Sequence, residues 1–159
     1  MIKVLLQILS LVGGGIIGWL LVYFDYVAYI YILHPEAQIS QYLKWQLEKK
    51  QFKAFWETLK RRQAEFDKLT TRGILFQLVW VVLAIFALTS TAGNFGKAVV
   101  MGLGLRVLVS EWGEWWKNKE ELKQKLFWQI QKSVNNQELK WYLIVKTGLM
   151  MWFLWLWLL

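Results

Sequence analysis

The feature that most constrains this chain is its first apolar run, Val4 to Leu33, which is broken only by Gln7, Ser10 and Asp25. In a helix rising ~1.5 Å per residue, such a run is longer than the ~30 Å hydrocarbon core of a bilayer. It has to tilt or emerge before its end. Lys3, the apolar stretch behind it and the small residues Gly13 and Gly15 also fit a cleaved signal peptide. The run continues far past Gly15, however, which favours a retained span.

The rest of the chain agrees with membrane insertion. Of the 159 residues, 57% are hydrophobic, above the roughly 45–50% of a soluble domain. The 12 Trp suit headgroup-level anchoring. Trp112, Trp115, Trp116 and Trp141 fit a cytoplasmic belt, and Trp152, Trp155 and Trp157 an outer one, whereas Trp19 and Trp80 read as packing residues. There is no Cys, which excludes disulfides, thiol nucleophiles and cysteine-ligated metals. The one histidine, His34, stands before Pro35 with no further metal donors spaced nearby, so it reads as an interfacial residue and no metal site is expected. The net charge of +8 comes with no nucleic-acid-binding motif, so it reads as topology and contact with anionic lipid.

The pattern predicts an all-α integral membrane protein forming a single membrane domain. Four transmembrane helices are expected at about 4–33, 73–90, 95–110 and 141–159, with two cytoplasmic amphipathic helical segments at about 35–69 and 118–134. The first amphipathic segment reads as one helix opened by Pro35. Trp45, Phe52, Leu59 and Phe66 fall seven apart along it, with Phe55 and Trp56 beside the same stripe. In the second, Leu122, Leu126, Ile130 and Val134 repeat every four residues.

Lysine and arginine set the orientation. Nine lie between Lys44 and Arg72, only Lys97 lies between spans two and three, and six lie between Lys117 and Lys140. Segments 34–72 and 111–140 are thus expected in the cytoplasm and both termini outside, in a cell (inner) membrane. A re-entrant hairpin over 73–109 keeps this orientation but carries Lys97 to mid-membrane, which is costly. Four full spans are expected.

Arg106 sits in the glycine-punctuated apolar stretch Gly96 to Val109. Ala98, Gly102 and Arg106 share one helix face, as do Gly14, Gly18 and Asp25 on the first span. Small residues let helices approach closely, so spans one and three are expected to pack in parallel through Gly14, Gly18, Ala98 and Gly102. That contact sets Asp25, read as the only acid within the spans, opposite Arg106 as an ion pair. Two alternatives stay open: Arg106 snorkels to the headgroups, or Asp25, Arg106 and Lys146 line a cytoplasm-facing polar cleft able to take a lipid phosphate or a polar stretch of another protein.

No phosphate-binding loop, H-E-x-x-H or G-x-S-x-G motif is present. No catalytic residue or cofactor is assigned, and an enzyme acting on lipid would need a nucleophile or base that the charge cluster lacks. The leading expectation is a membrane scaffold or assembly factor. Its face of Trp45, Phe52, Phe55, Trp56, Leu59 and Phe66 would lie on anionic lipid or bind a membrane or cytoplasmic protein. Gly14-x-x-x-Gly18 can equally serve a homo-oligomer. The alternative is a small translocation device, a channel, transporter or insertase. An outside N-terminus, a cytoplasmic helical segment after span one and an arginine toward the cytoplasm resemble the plan of the membrane-protein insertase superfamily. Such a device would use a cytoplasm-facing polar cleft around Asp25 and Arg106. Members of the superfamily carry a longer helical hairpin where this chain shows one helix.

Overall fold

The computed structural model describes residues 2–62, 66, 69–91, 93–129 and 134–158. Every regular element among them is a helix. They are α1 (Ile2–Ala28), which widens into π-helical turns over Tyr29–Leu33, α2 (Gln38–Glu48), α3 (Phe52–Arg61), a 3-10 turn (Thr70–Arg72), α4 (Ile74–Thr89), α5 (Asn94–Lys117), α6 (Lys119–Phe127) and α7 (Asn136–Leu158). Among the described residues two helices, Lys3–Leu33 and Asn136–Leu158, are long and apolar enough to cross a membrane. Helix α4 is apolar but has only 16 residues. Helix α5 carries Lys97, Arg106, Glu111, Glu114 and Lys117.

Helix α5 is the centre of the bundle, with α1 on one side and α4 and α7 on the other. The α1–α5 contact is parallel and made backbone to backbone. A Cβ on Gly14 would lie 2.6 Å from the Phe95 carbonyl oxygen and 2.8 Å from the Ala98 Cβ, and one on Gly18 would collide with the Val99 carbonyl. Gly102 returns the approach, its absent Cβ leaving room for the Gly15 carbonyl. On the far side of α5, Gly104 makes room for the Trp80 indole of α4, which donates from Nε1 to the Val100 carbonyl at 2.9 Å. Trp80, Ala84, Met101, Val107, Met150 and Phe153 form the core there. The first turn of α5 meets α1 at Gly14, and nearer the N-terminus of α1 Leu5, Leu9 and Val12 are exposed.

The amphipathic segment expected as one helix over 35–69 is two helices. Helix α2 closes in a Schellman motif: the Gln51 N–H bonds the Gln46 carbonyl at 3.0 Å and the Lys50 N–H bonds the Leu47 carbonyl at 2.9 Å. Lys50 takes the left-handed conformation there, φ 56°, where glycine is usual. The chain turns back, and α2 and α3 form a hairpin braced on the end of α1. The shared core comprises Tyr26, Ile30, Leu43, Phe55, Leu59 and Phe66 among others. Phe55, Leu59 and Phe66, expected on an exposed contact face, are therefore interior residues. The fold of the hairpin consumes half of the stripe that a single helix would have left free. Of the second amphipathic segment, α6 keeps Leu122 and Leu126 against Leu139 and Leu143 of α7, while Ile130 lies outside the described residues.

Candidate functional site

The polar interior of the bundle sits where the 3-10 turn and the N-terminal part of α4 meet α5 and α7. Each helix contributes from the same stripe that packs the core. On α4 the buried residues are Gln77, Trp80, Ala84 and Ala87; on α7, Leu139, Leu143, Met150 and Phe153 bracket Lys146; on α5, Glu111 follows Val107 and Leu108. Three polar side chains thus converge at one level. Lys146 Nζ lies 2.6 Å from Glu111 Oε2 and donates to Gln77 Oε1 at 2.6 Å, while Gln77 Nε2 donates to Glu111 Oε1 at 2.5 Å. The Tyr142 hydroxyl, one turn before Lys146, also donates to Gln77 Oε1. Glu111 is only 4% exposed.

The network continues toward the hairpin. Arg72 Nη1 reaches Glu114 Oε1 at 2.6 Å and its Nη2 donates to the Tyr26 hydroxyl at 2.9 Å. Lys125 of α6 is buried as well, 2.6 Å from Glu121 and 3.6 Å from Glu114. Arg72, Lys125 and Lys146 thus face Glu111, Glu114 and Glu121, three charges against three, and the cluster is neutral. A buried charge is tolerable when it is paired and hydrogen-bonded in this way. Asp25 is consequently not the only acid inside the helical bundle. The signal for Glu111 and Lys146 was present in the sequence, since each occupies a position of its helix's buried stripe.

Asp25 and Arg106 do not pair. Asp25 Oδ2 accepts from the Thr71 N–H and from Thr71 Oγ1, both at 2.8 Å, and so ties the turn before α4 to α1. The Arg106 guanidinium lies over the rings of Trp19, 5.0 Å from its centroid, and Tyr23, at 5.9 Å. Its Nε is buried without a hydrogen-bond partner. The reason is register. With Ala98 beside Gly14 and Leu103 beside Gly18, Arg106 falls at a height between Trp19 and Tyr23, short of Asp25. Nor do Asp25, Arg106 and Lys146 line a common cleft, since each holds different partners.

Of the remaining expected contact residues, Trp45, Phe52 and Trp56 are exposed, at 48%, 59% and 43%. Trp45 stacks on Tyr42, and Trp56 meets Tyr23 of α1 edge-on. His34 lies 3.3 Å from Glu36, and among the described residues no group of three or more His, Cys, Asp or Glu could hold a metal ion. A groove of about 240 Å³ opens between α4 and α7 along Leu78, Val81, Val145 and Leu149; Gln77, Tyr142 and Lys146 of the polar network also line it, but the surface it exposes is apolar. A second, of about 360 Å³ and equally apolar, runs along the α1–α5 seam. No family model matches the chain, and neither a curated protein nor a solved structure shows significant similarity to it.

Proposed function

We propose that the chain is an integral membrane protein crossing the bilayer with α1, α4, α5 and α7, both termini outside. We propose further that it acts as a membrane scaffold or assembly factor whose cytoplasmic α2–α3 hairpin contacts anionic lipid. Support for the membrane part comes from the surface. Only 11% and 17% of the most apolar windows of α1 and α7 are buried inside the bundle, unlike the core helices of a soluble protein. On α4, Leu78, Val79, Val82 and Phe86 are exposed, and so much open apolar surface calls for lipid or protein cover. Two of the charges on α5, Glu111 and Glu114, are neutralised inside the bundle, as a span requires. The lysine and arginine distribution supports the orientation.

One observation carries the scaffold reading. The hairpin is pinned to α1 through Phe55 and Leu59, yet Trp45 and Phe52 remain half exposed on either side of a turn containing Lys49 and Lys50, with Lys53 one residue beyond Phe52. Aromatic rings set among lysines match the headgroup layer of an anionic membrane. A translocation path is less well supported, because Asp25, Arg106 and Lys146 are engaged separately instead of lining one polar cleft.

The chain lacks cysteine, which makes single-cysteine labelling clean. Thr91→Cys should react with an impermeant maleimide in intact cells and Lys53→Cys only after permeabilisation; the reverse pattern would overturn the topology. A bimane probe on Phe52→Cys in nanodiscs should be quenched by headgroup-labelled lipid more strongly with phosphatidylglycerol than with phosphatidylcholine. Changing Lys49, Lys50 and Lys53 to Glu should remove that difference. Equal quenching in both lipids would rule out the lipid-contacting hairpin.

A further inference from the structure

Among the described residues, Arg72, Lys125, Lys146 and Arg106 are cations inside the bundle or on its α1–α5 seam. The first three each hold a carboxylate. Arg106 holds none among the described residues; it rests on two aromatic rings, with Nε unsatisfied. A partly desolvated guanidinium with hydrogen-bonding capacity to spare attracts an anion of planar or tetrahedral oxygen geometry.

What adjoins Arg106 narrows the class of anion. Trp19, the ring under the guanidinium, also forms the cytoplasmic end of the apolar groove on the α1–α5 seam. The groove is lined by Leu11, Val12, Gly15, Ile16, Gly102 and Leu105, with Leu20 beside Trp19. Its depth comes from Gly15, whose missing Cβ would meet nothing within 4 Å. From Leu11 to Leu20 the groove follows about nine residues of α1, or ~14 Å, close to half of a ~30 Å hydrocarbon core. One cation at the cytoplasmic end of an apolar groove long enough for much of an acyl chain matches a phospholipid: an anion at the head and a chain behind it.

We propose that the α1–α5 seam binds one anionic phospholipid of the cytoplasmic leaflet, its phosphate on Arg106 and one acyl chain along Gly15 and Gly102. The site rests on the membrane orientation proposed above and is distinct from the hairpin surface. It gives Arg106 the counter-ion that Asp25, committed to Thr71, does not supply.

The test is native mass spectrometry of the full chain released from mild detergent, titrated with phosphatidylglycerol or with a diacylglycerol of the same chains. Wild type should retain phosphatidylglycerol about fivefold better than diacylglycerol, the size of one basic side chain's attraction to anionic lipid. Arg106→Gln should remove that preference and Arg106→Lys should keep most of it. Gly15→Leu, whose Cβ opens into the groove with nothing within 4 Å, puts a branched side chain there and should lower retention of both lipids. Circular dichroism and the thermal transition of each variant show that it is folded. Undiminished phosphatidylglycerol preference in folded Arg106→Gln, or undiminished lipid retention in folded Gly15→Leu, would overturn the proposal. So would equal thermal stabilisation of wild type by inorganic phosphate, which marks a free-anion site. A dimer mass lost in Gly15→Leu would overturn it too, since the seam then holds a second copy. If wild type retains neither lipid and stays monodisperse without detergent, the membrane reading itself fails.

Discussion

Lys146 of α7 and Glu111 of α5 form an ion pair with Nζ 2.6 Å from Oε2, and both also bond Gln77 of α4. Three helices are thereby joined at one level by a pair almost closed to solvent. Removing one partner leaves a buried charge uncompensated, which costs about 3 kcal/mol. Lys146→Met and Glu111→Gln are each expected to lower the thermal transition in a fixed detergent. The double variant should lose less than the sum of the two, because neither charge is then stranded. Additive losses would show that the pair is not coupled.

Among the described residues, Asp25 and Arg106 have no shared hydrogen-bond or ion-pair partner. Asp25→Ala strips the acceptor from the Thr71 N–H and hydroxyl and is expected to cost about 1–2 kcal/mol, as the loss of a helix cap does. Combined with Arg106→Gln, the two effects should add within about 0.5 kcal/mol. A double-mutant cycle in detergent measures this. A coupling well above that value would restore a direct interaction between the two charges.

The glycines of α1 differ in what they meet. A methyl at Gly18 collides with the Val99 carbonyl, whereas one at Gly13 meets nothing. Gly18→Ala should push α1 from α5 and destabilise by about 1–3 kcal/mol. Gly13→Ala should be neutral or stabilise by up to about 1 kcal/mol through helix propensity. Thermal unfolding of the two variants side by side checks the contrast.

Lys50 holds a positive φ at the end of α2. A side chain in that conformation costs roughly 1 kcal/mol relative to glycine. Lys50→Gly is expected to stabilise the hairpin by about that amount, seen as slower proteolysis between α2 and α3. Leu59→Ala, at a position 2% exposed, should lose about 2–5 kcal/mol and speed the same cleavage. Phe52→Ala, on the outer surface, should leave it unchanged.

The α2–α3 turn also shows why a single helix was expected. Lys49, Lys50 and Gln51 contain none of the glycine or proline that usually marks a break, and Lys50 pays for the reversal through its backbone. Lys53, Glu57 and Arg61 do mark an exposed face, and Glu57 and Arg61 stand 3.5 Å apart there, but the opposite face belongs to the hairpin core and is not free for a partner. The polar cluster was partly legible: Gln77, Glu111 and Lys146 continue apolar stripes at helical spacing, which places them inward. Which of them touch could not be read from three separate stripes.

The sequence by itself determined that the chain is helical, where its long helices run, and which small residues share a face. These are local matters of periodicity and turn chemistry, settled by neighbours three or four residues away. Only the tertiary structure decided the partners of the charges. Periodicity sets the face of a helix but not its height against another, and a shift of one turn, ~5.4 Å, exchanges one contact for the next. The glycine-to-backbone contacts of α1 with α5 fixed that height and put Arg106 on Trp19 and Tyr23. Asp25 was left to Thr71, 46 residues along the chain, a distance over which no local pattern carries information.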